Sequence, residues 1–557
     1  MDTYRAFLAV IISFVILLGY QYFFVGFGPK EQPVGTAEVS GEQQPIQTAS
    51  QPAAQPSVVA PAPAVQAPAQ QVVVNPDARD IQVETDLFTA VVSENGGVLK
   101  SMRLKNYREE NGADSPGMDL VNSDDTKGFP LNFSWGSAVP QGLYFKSETG
   151  TVEFREGKGN LTMVADAGNG LKVVRTYTFL KDSYLVGLNV AVQNMSEQPL
   201  QGTPQIYQVN TPFSKTGSPA DRFLFRGPSS YINGELNEIK AKDLEDGPQT
   251  LQGAIEWAGY GGNYFIRAIV PLENAATSYS MEGTEDLTRT MLAGSLDTLQ
   301  PGTEKTYQYQ ILYGPKKVTM LRDAGYNLER SVNFGWFDVI ARPTLWLLNF
   351  FYSYVGNYGI AIILVTCMFK ALFWPITQKG MKSMRNMQKL QPKMVKIKEK
   401  YKDDPTKMNQ EVMGLYKTYK VNPLGGCLPM VLQIPVFFAL YKVLLQSIEL
   451  RHAPFMLWIN DLSAPDRLWI GIDIPYLGGI PVLTLMMGAS MWLQQKMTPT
   501  TADPAQAKIL QFLPVIFTFM FLNFASGLVL YWFINNLLSI LQQQLINRDV
   551  KVKPAKA

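Results

Sequence analysis

The sequence predicts a multi-domain membrane protein: six α-helical transmembrane spans, one large β-sandwich domain outside the cytoplasm, and a helical hairpin inside it. Three observations carry this. Residues Ala6–Phe27 contain no charge over 22 positions, and roughly 20 helical residues cross a bilayer core. Residues 77–326 alternate apolar and polar positions between turns. From residue 358 onward, four more apolar regions alternate with charged segments.

Residues 1–28 read as an anchor, because a cleavable signal has a shorter apolar stretch, about 7–15 residues, and a small-residue cleavage site. Residues 29–76 are rich in Pro, Ala and Gln and form a linker that cannot bury a core. Residues 77–326 are β-structure. In KTYQYQILYG, Tyr307, Tyr309, Ile311 and Tyr313 share one face and Gln308 and Gln310 the other. In YLVGLNVAVQN, Val186, Leu188, Val190 and Val192 line one face. Turns such as Asn95-Gly96-Gly97 separate these runs, which suits a sandwich. The acidic residues here are scattered and form no catalytic group. Residues 327–357 are aromatic and sparsely charged, which fits an amphipathic helix in the membrane interface or a lead-in to the next span. Pro343 can open a helical segment there.

The spans follow. Residues 358–378 form the second and 421–448 the third. Residues 449–473 are an outer loop, 474–495 the fourth span and 496–508 a cytoplasmic loop. Residues 509–546 are too long for one crossing, and Ala525-Ser526-Gly527 interrupts them, so they read as a hairpin of spans five and six. Residues 547–557 are a basic tail. Charge checks the count. Residues 379–420 hold twelve Lys or Arg against four Asp or Glu, and short basic loops stay cytoplasmic. Six spans place this segment, the basic tail and both termini on the same side; five would put the tail outside.

Composition excludes several classes. The net charge is +2, with one histidine and two cysteines. That disfavours DNA binding, most zinc sites and a disulfide framework. No phosphate loop or dinucleotide fingerprint occurs, so no cofactor, metal or catalytic residue is expected.

In the basic segment, Met381, Met384, Met387, Leu390 and Met394 recur every three or four residues, the spacing of one helix face. Asp403-Asp404-Pro405 breaks that helix, and Thr406 can cap a second one carrying Met408, Val412, Leu415 and Tyr419. The two stripes pack on each other or offer a flexible methionine surface to partners. The lysines suit anionic lipid or ribosomal RNA, and a topology signal explains them equally well.

Lys370 lies inside an apolar run. Counted from Tyr358 at 1.5 Å per residue, it sits about 18 Å deep, just past the middle of a core roughly 30 Å thick. Lysine at such a position costs on the order of 2.5–3.5 kcal/mol. It either snorkels inward or faces a hydrated cavity. Thr366 is one turn away on the same helix face. Gln433, Gln511, Asn535 and Asn536 lie in other spans. Polar groups in a membrane face protein or water, so together they predict a polar chamber in the inner leaflet. A channel or secondary transporter with a polar intramembrane cavity is the rival reading, although no internal repeat of the transporter kind is seen.

KVNPLGGCLPMVLQIPVFFAL at residues 420–440, with VGNYGIAIILVT, LPVIFTFMF and SGLVLYWFINNLLSILQQQLI, resembles the YidC membrane protein insertases of Gram-negative bacteria. The resemblance implies an inner-membrane protein without ATP chemistry, whose β-domain is a periplasmic β-supersandwich. It implies that newly made membrane proteins are the substrates, alone or with the Sec translocon, and it raises the ribosome as a partner. It also implies a groove whose positive charge falls on Lys370, where the family more often carries arginine. A face guiding the substrate falls on Ile434, Pro435 and Phe437, with Phe517 and Tyr531 from the last hairpin. Asn523 stands where a bulkier apolar residue is usual.

Overall fold

The computed structural model describes residues 75–112, 114–213, 225–273, 275–402, 404–419, 428–472, 474–475, 477–497 and 504–549. The expected anchor, nearly all of the linker and most of the basic tail lie outside the described residues.

Strands run from Asp80 to Pro315 and form a ten-stranded sheet with smaller sheets of five, four and two strands. The long sheet passes antiparallel from Gly227–Ile232 through Ile255–Gly261, Phe265–Pro271, Glu304–Pro315, Leu185–Asn194 and Leu171–Leu180 to Lys158–Gly168. Its register sets Leu188 opposite Tyr309 on one side and Tyr177 on the other, and all three are buried. The period-two reading of these strands therefore describes the inner face, since alternate side chains point to opposite faces.

Two fully buried arginines join the sheets. Arg175 donates to the carbonyls of Gly96 at 3.0 Å and Leu131 at 2.6 Å, and to the Tyr177 hydroxyl at 2.8 Å. Arg267 donates to the carbonyl of Leu120 and, at 3.0 Å, to that of Thr211. Charged donors buried this deep must be hydrogen-bonded, so these carbonyls fix where the loops lie. Gly97, at φ 60°, has Arg175 close against it; an added Cβ would lie 3.0 Å from the arginine Cδ. The Asn-Gly-Gly turn is thus a packing requirement as well as a turn.

The helical part contains α1 (Val318–Ala324), α2 (Asp338–Val355), α3 (Tyr358–Lys400), α4 (Pro405–Thr418), α5 (Leu428–Gln446), α6 (Val482–Met497), α7 (Pro504–Phe521) and α8 (Ser526–Asp549). Among the described residues one stretch, Tyr358–Met387, is long and apolar enough to cross a membrane; Gln433–Gln446 and Gln511–Phe521 are shorter apolar helices. Helix α8 packs between α3 and α6, and α7 lies against α6.

Several local expectations change. The region expected to be β through residue 326 closes with the helix α1. Pro343 sits inside α2 rather than opening a segment. The helix expected to end with the second span at residue 378 instead runs on, for 43 residues in all, about 65 Å, so it forms the first arm of the basic hairpin as well. Helix α4 is capped by Asp404, whose carboxylate accepts from the Lys407 N–H at 3.0 Å, rather than by Thr406. An aspartate there also meets the positive end of the helix dipole.

The β-domain and the helices share one core. Ala439, Val443 and Ile448 pack with the sheet residues, as do Phe334 and Leu345. Asn263 donates to the Leu445 carbonyl at 2.9 Å, and Arg451 to that of Glu109 at 2.9 Å.

Candidate functional site

The polar residues of α8 follow helical spacing. Asn535, Ser539 and Gln542 turn toward α3, and Asn536 and Gln543 toward α6. Lys370 of α3 is buried, 6% exposed. Its ammonium donates to Ser539 Oγ at 2.6 Å and to Asn535 Oδ1 at 3.3 Å. Ser539 donates its own hydrogen to the Asn535 carbonyl at 2.7 Å, so its lone pairs face the lysine. An ammonium has three donors and no acceptor. Among the described residues its partners are these two neutral oxygens, and it forms no ion pair.

The other expected polar residues divide. Asn535 joins Lys370. Asn536 is buried but faces α6, donating to Ser490 Oγ at 3.1 Å. Thr366 is buried and donates to its own helix, at the Ile362 carbonyl 2.6 Å away, which is how a hydroxyl inside an apolar helix satisfies itself. Gln433 is half-buried and Gln511 exposed, and neither hydrogen-bonds to Lys370. Lysine's strongest partner, Ser539, was passed over in the sequence. Its signal was there: it lies four residues beyond Asn535, on the same face.

Three of the residues expected to form an apolar face, Phe437, Phe517 and Tyr531, come together. Phe437 of α5 and Phe517 of α7 both pack on Trp532 of α8, at 4.7 and 6.0 Å between ring centres. Tyr531 stacks toward Phe437 at 6.5 Å and is otherwise buried. Trp532, unremarked in the sequence, is the hub of this cluster; aromatic pairs at these distances favour edge-on or offset contacts. Pro435 lies half-buried within α5, while Ile434 and Phe438 are exposed. Phe512, Val515, Ile516 and Phe519 form an exposed apolar face on α7, with Phe519 at 69%. Apolar faces of this size on neighbouring helices mark contact with lipid or another chain.

At the far end of the same helices the loop 449–473 covers the turn between α7 and α8. Ser526 donates its hydroxyl to the Asp461 carbonyl and its N–H to that of Ala464, both at 2.8 Å. Arg467 donates to the Leu522 carbonyl at 2.8 Å and to Asn523 Oδ1 at 2.9 Å. Asn523 therefore anchors the loop, which accounts for a polar residue in that place. The lone histidine, His452, belongs to this loop, its N–H donating to Asp461 Oδ1 at 3.1 Å.

In the basic hairpin, Met387 and Leu390 of α3 are buried against Leu415 and Tyr416 of α4. Tyr416 donates to Met394 Sδ at 3.1 Å. These stripes thus pack on each other, while Met381 and Met384 remain half-buried.

A family described as the 60Kd inner membrane protein matches residues 350–554, and one described as the YidC periplasmic domain matches residues 80–347. The chain is 44% identical to the membrane protein insertase YidC of Pelobacter propionicus, covering 98% of this chain and 99% of that one. It is 40% identical to the same protein of Syntrophus aciditrophicus, over 98% and 99%. A crystal structure of an active YidC insertase with its first transmembrane domain resolved shares 20% identity, covering 86% of this chain and 93% of that one, with a TM-score of 0.35.

Proposed function

The chain belongs to the YidC family of membrane protein insertases, and from that membership we propose how its polar and apolar faces carry a substrate segment into the membrane. The protein acts on newly made membrane proteins, and its family is not enzymatic.

Six spans with cytoplasmic termini put the β-domain and the loop 449–473 in the periplasm. Lys370, Asn535 and Ser539 then form a polar point in the inner half of the bilayer. An acidic or polar segment of a substrate meets the third donor of the Lys370 ammonium there, with Asn535 and Ser539 holding the amine in place. Drawing that segment partway into the membrane shortens its dry path and lowers its desolvation cost. Ile434 and Phe437 with the exposed face of α7 receive the substrate's apolar helix, whose burial in lipid supplies the driving force. The loop anchored by Asp461, Arg467 and Asn523 supports closure of the periplasmic end. The half-buried Met381 and Met384 and the lysines around them offer a cytoplasmic surface for the ribosome or anionic lipids, and the Sec translocon is a further partner.

The observation that carries this reading is the buried Lys370 amine with two neutral oxygens and no carboxylate. It also bears on lysine in place of the usual arginine: a two-acceptor pocket requires a positive charge and does not require a planar fork. In reconstituted vesicles, Lys370→Arg should retain insertion of a one-span substrate with an acidic periplasmic tail. Lys370→Ala and Lys370→Glu should lower it about tenfold, the scale of one charge-assisted hydrogen bond. Equal insertion by all three would remove the charge from the mechanism.

A further inference from the structure

A second cationic site lies where the β-domain meets the end of α5. A cavity of about 320 Å³ opens there, lined by Lys316, Lys240 and Lys442, with Glu238, Asn263 and Gly335. Three elements supply the lysines: the end of the strand Glu304–Pro315, the loop after the strand Glu235–Glu238, and α5. Lys316 is 7% exposed, and neither a hydrogen bond nor an ion pair engages its amine among the described residues. Burial pushes that amine down to about 8, although the Glu238 carboxylate works against the shift. Glu238 itself accepts from Asn333 at 2.7 Å. Beside the cavity, the Ser229 hydroxyl, which can donate, is buried without a partner. Unpartnered buried donors call for an explanation, and a buried lysine amine that no group engages among the described residues, with Lys240 beside it, calls for an anion.

The setting says which anion. Lys442 is on the last turns of the apolar helix α5. Next to Gly335, Trp336 is 100% exposed and Val339 also projects outward. Exposed aromatic and apolar side chains at the end of an apolar helix mark the headgroup level of a membrane. Phosphodiesters are concentrated at that level, and basic pockets beside membrane helices hold lipid headgroups.

We propose that this pocket binds the phosphodiester of a membrane phospholipid, with Lys316 as its buried contact and Lys240 and Lys442 at its mouth. The bound lipid ties the β-domain to the bilayer surface beside α5. This goes beyond the insertion reading and rests only on the pocket lying at the membrane surface.

The test is native mass spectrometry of the full-length protein in detergent, titrated with phosphatidylglycerol, with diacylglycerol as the uncharged control. The measurement is indifferent to topology and to insertion activity, so its failure leaves the insertion reading standing. The wild-type protein should hold one phosphatidylglycerol more tightly than diacylglycerol. Lys316→Met should weaken that binding about tenfold and Lys316→Arg should preserve it. Lys240→Gln changes an exposed residue, so it leaves folding alone and should weaken binding about threefold. Equal retention of diacylglycerol, or unchanged binding by both Lys316→Met and Lys240→Gln, overturns the proposal. Displacement of the lipid by inorganic phosphate at equal concentration assigns the pocket to a soluble phosphate and overturns the lipid source. An acidic peptide that binds where phosphatidylglycerol does not overturns it in favour of a protein segment.

Discussion

At the residue scale, two buried lysines show two ways of keeping a charge out of water. Lys370 is held by two neutral oxygens, of Ser539 and Asn535, at 2.6 and 3.3 Å. Ser539→Ala leaves it the longer bond alone and should destabilise the α3–α8 contact by about 2 kcal/mol, the worth of a hydrogen bond to a charged group. Thermal unfolding in detergent of Ser539→Ala, Lys370→Met and the double variant checks this. The double variant should cost less than the sum, and strict additivity would mean that the bond contributes nothing. Lys316 behaves oppositely, because desolvation holds its amine near 8, well below 10.5. Below pH 8 both folded and unfolded chains carry the proton, and the cost of burying the charge is fully present. Between about pH 8 and 10.5 the folded chain has lost the proton and the unfolded chain still binds it, so stability rises with pH. Across the cavity, the Glu238 carboxylate favours the charged form. Lys316→Met should remove that rise and stabilise the protein at pH 7 by up to about 3 kcal/mol. Unfolding temperatures across pH 7 to 10.5 report it, and parallel curves for the two proteins would refute it.

At the element scale, the long helix α3 and the close pair α6–α7 set the geometry. Because α3 continues from the stretch expected as the second span into the basic hairpin, Lys370 and the methionine stripe lie on one helix, with Pro375 between them. The hairpin arm expected from the methionine spacing is there, but as the continuation of α3 rather than a separate helix, since helix propensity does not register where a membrane ends. Helices α6 and α7 touch at Gly488, where an added Cβ would lie within van der Waals overlap of Thr518. The Thr518 hydroxyl donates to the Pro514 carbonyl at 2.7 Å, which holds its rotamer. Small residues at such crossings let membrane helices approach. Gly488→Val should therefore destabilise the pair by about 1–3 kcal/mol, as overpacking does. Thr518→Ala should recover part of that loss. Full recovery is not expected, because valine also crowds the helix around it.

At the scale of the whole molecule, the loop 449–473 and the basic hairpin should face opposite sides of the membrane. Leu457 is 81% exposed in the loop and Met413 is 52% exposed in the hairpin. With the two native cysteines replaced, a cysteine at 457 should react with a membrane-impermeant maleimide added outside intact cells. One at 413 should react only after the inner membrane is opened. Labelling of both from outside would refute the six-span arrangement.

Periodicity and charge by themselves determined much of this protein. The alternation of Tyr307, Tyr309, Ile311 and Tyr313 announced an inner sheet face, and the family was legible from ordered motifs such as QIPVFFAL. A lysine in an apolar run announced a polar point. Patterns of this kind are local, because burial follows the two- and 3.6-residue repeats of strand and helix. Partners across the chain are not local. Only the tertiary structure decided that Ser539 rather than Thr366 meets Lys370, that Trp532 joins Phe437 and Phe517, and that Asn523 anchors a loop. It also brought Lys240, Lys316 and Lys442 around one cavity from positions that share no repeat. The physical reason is the same throughout: a side chain's repeat says which face it is on, and only packing says what that face meets.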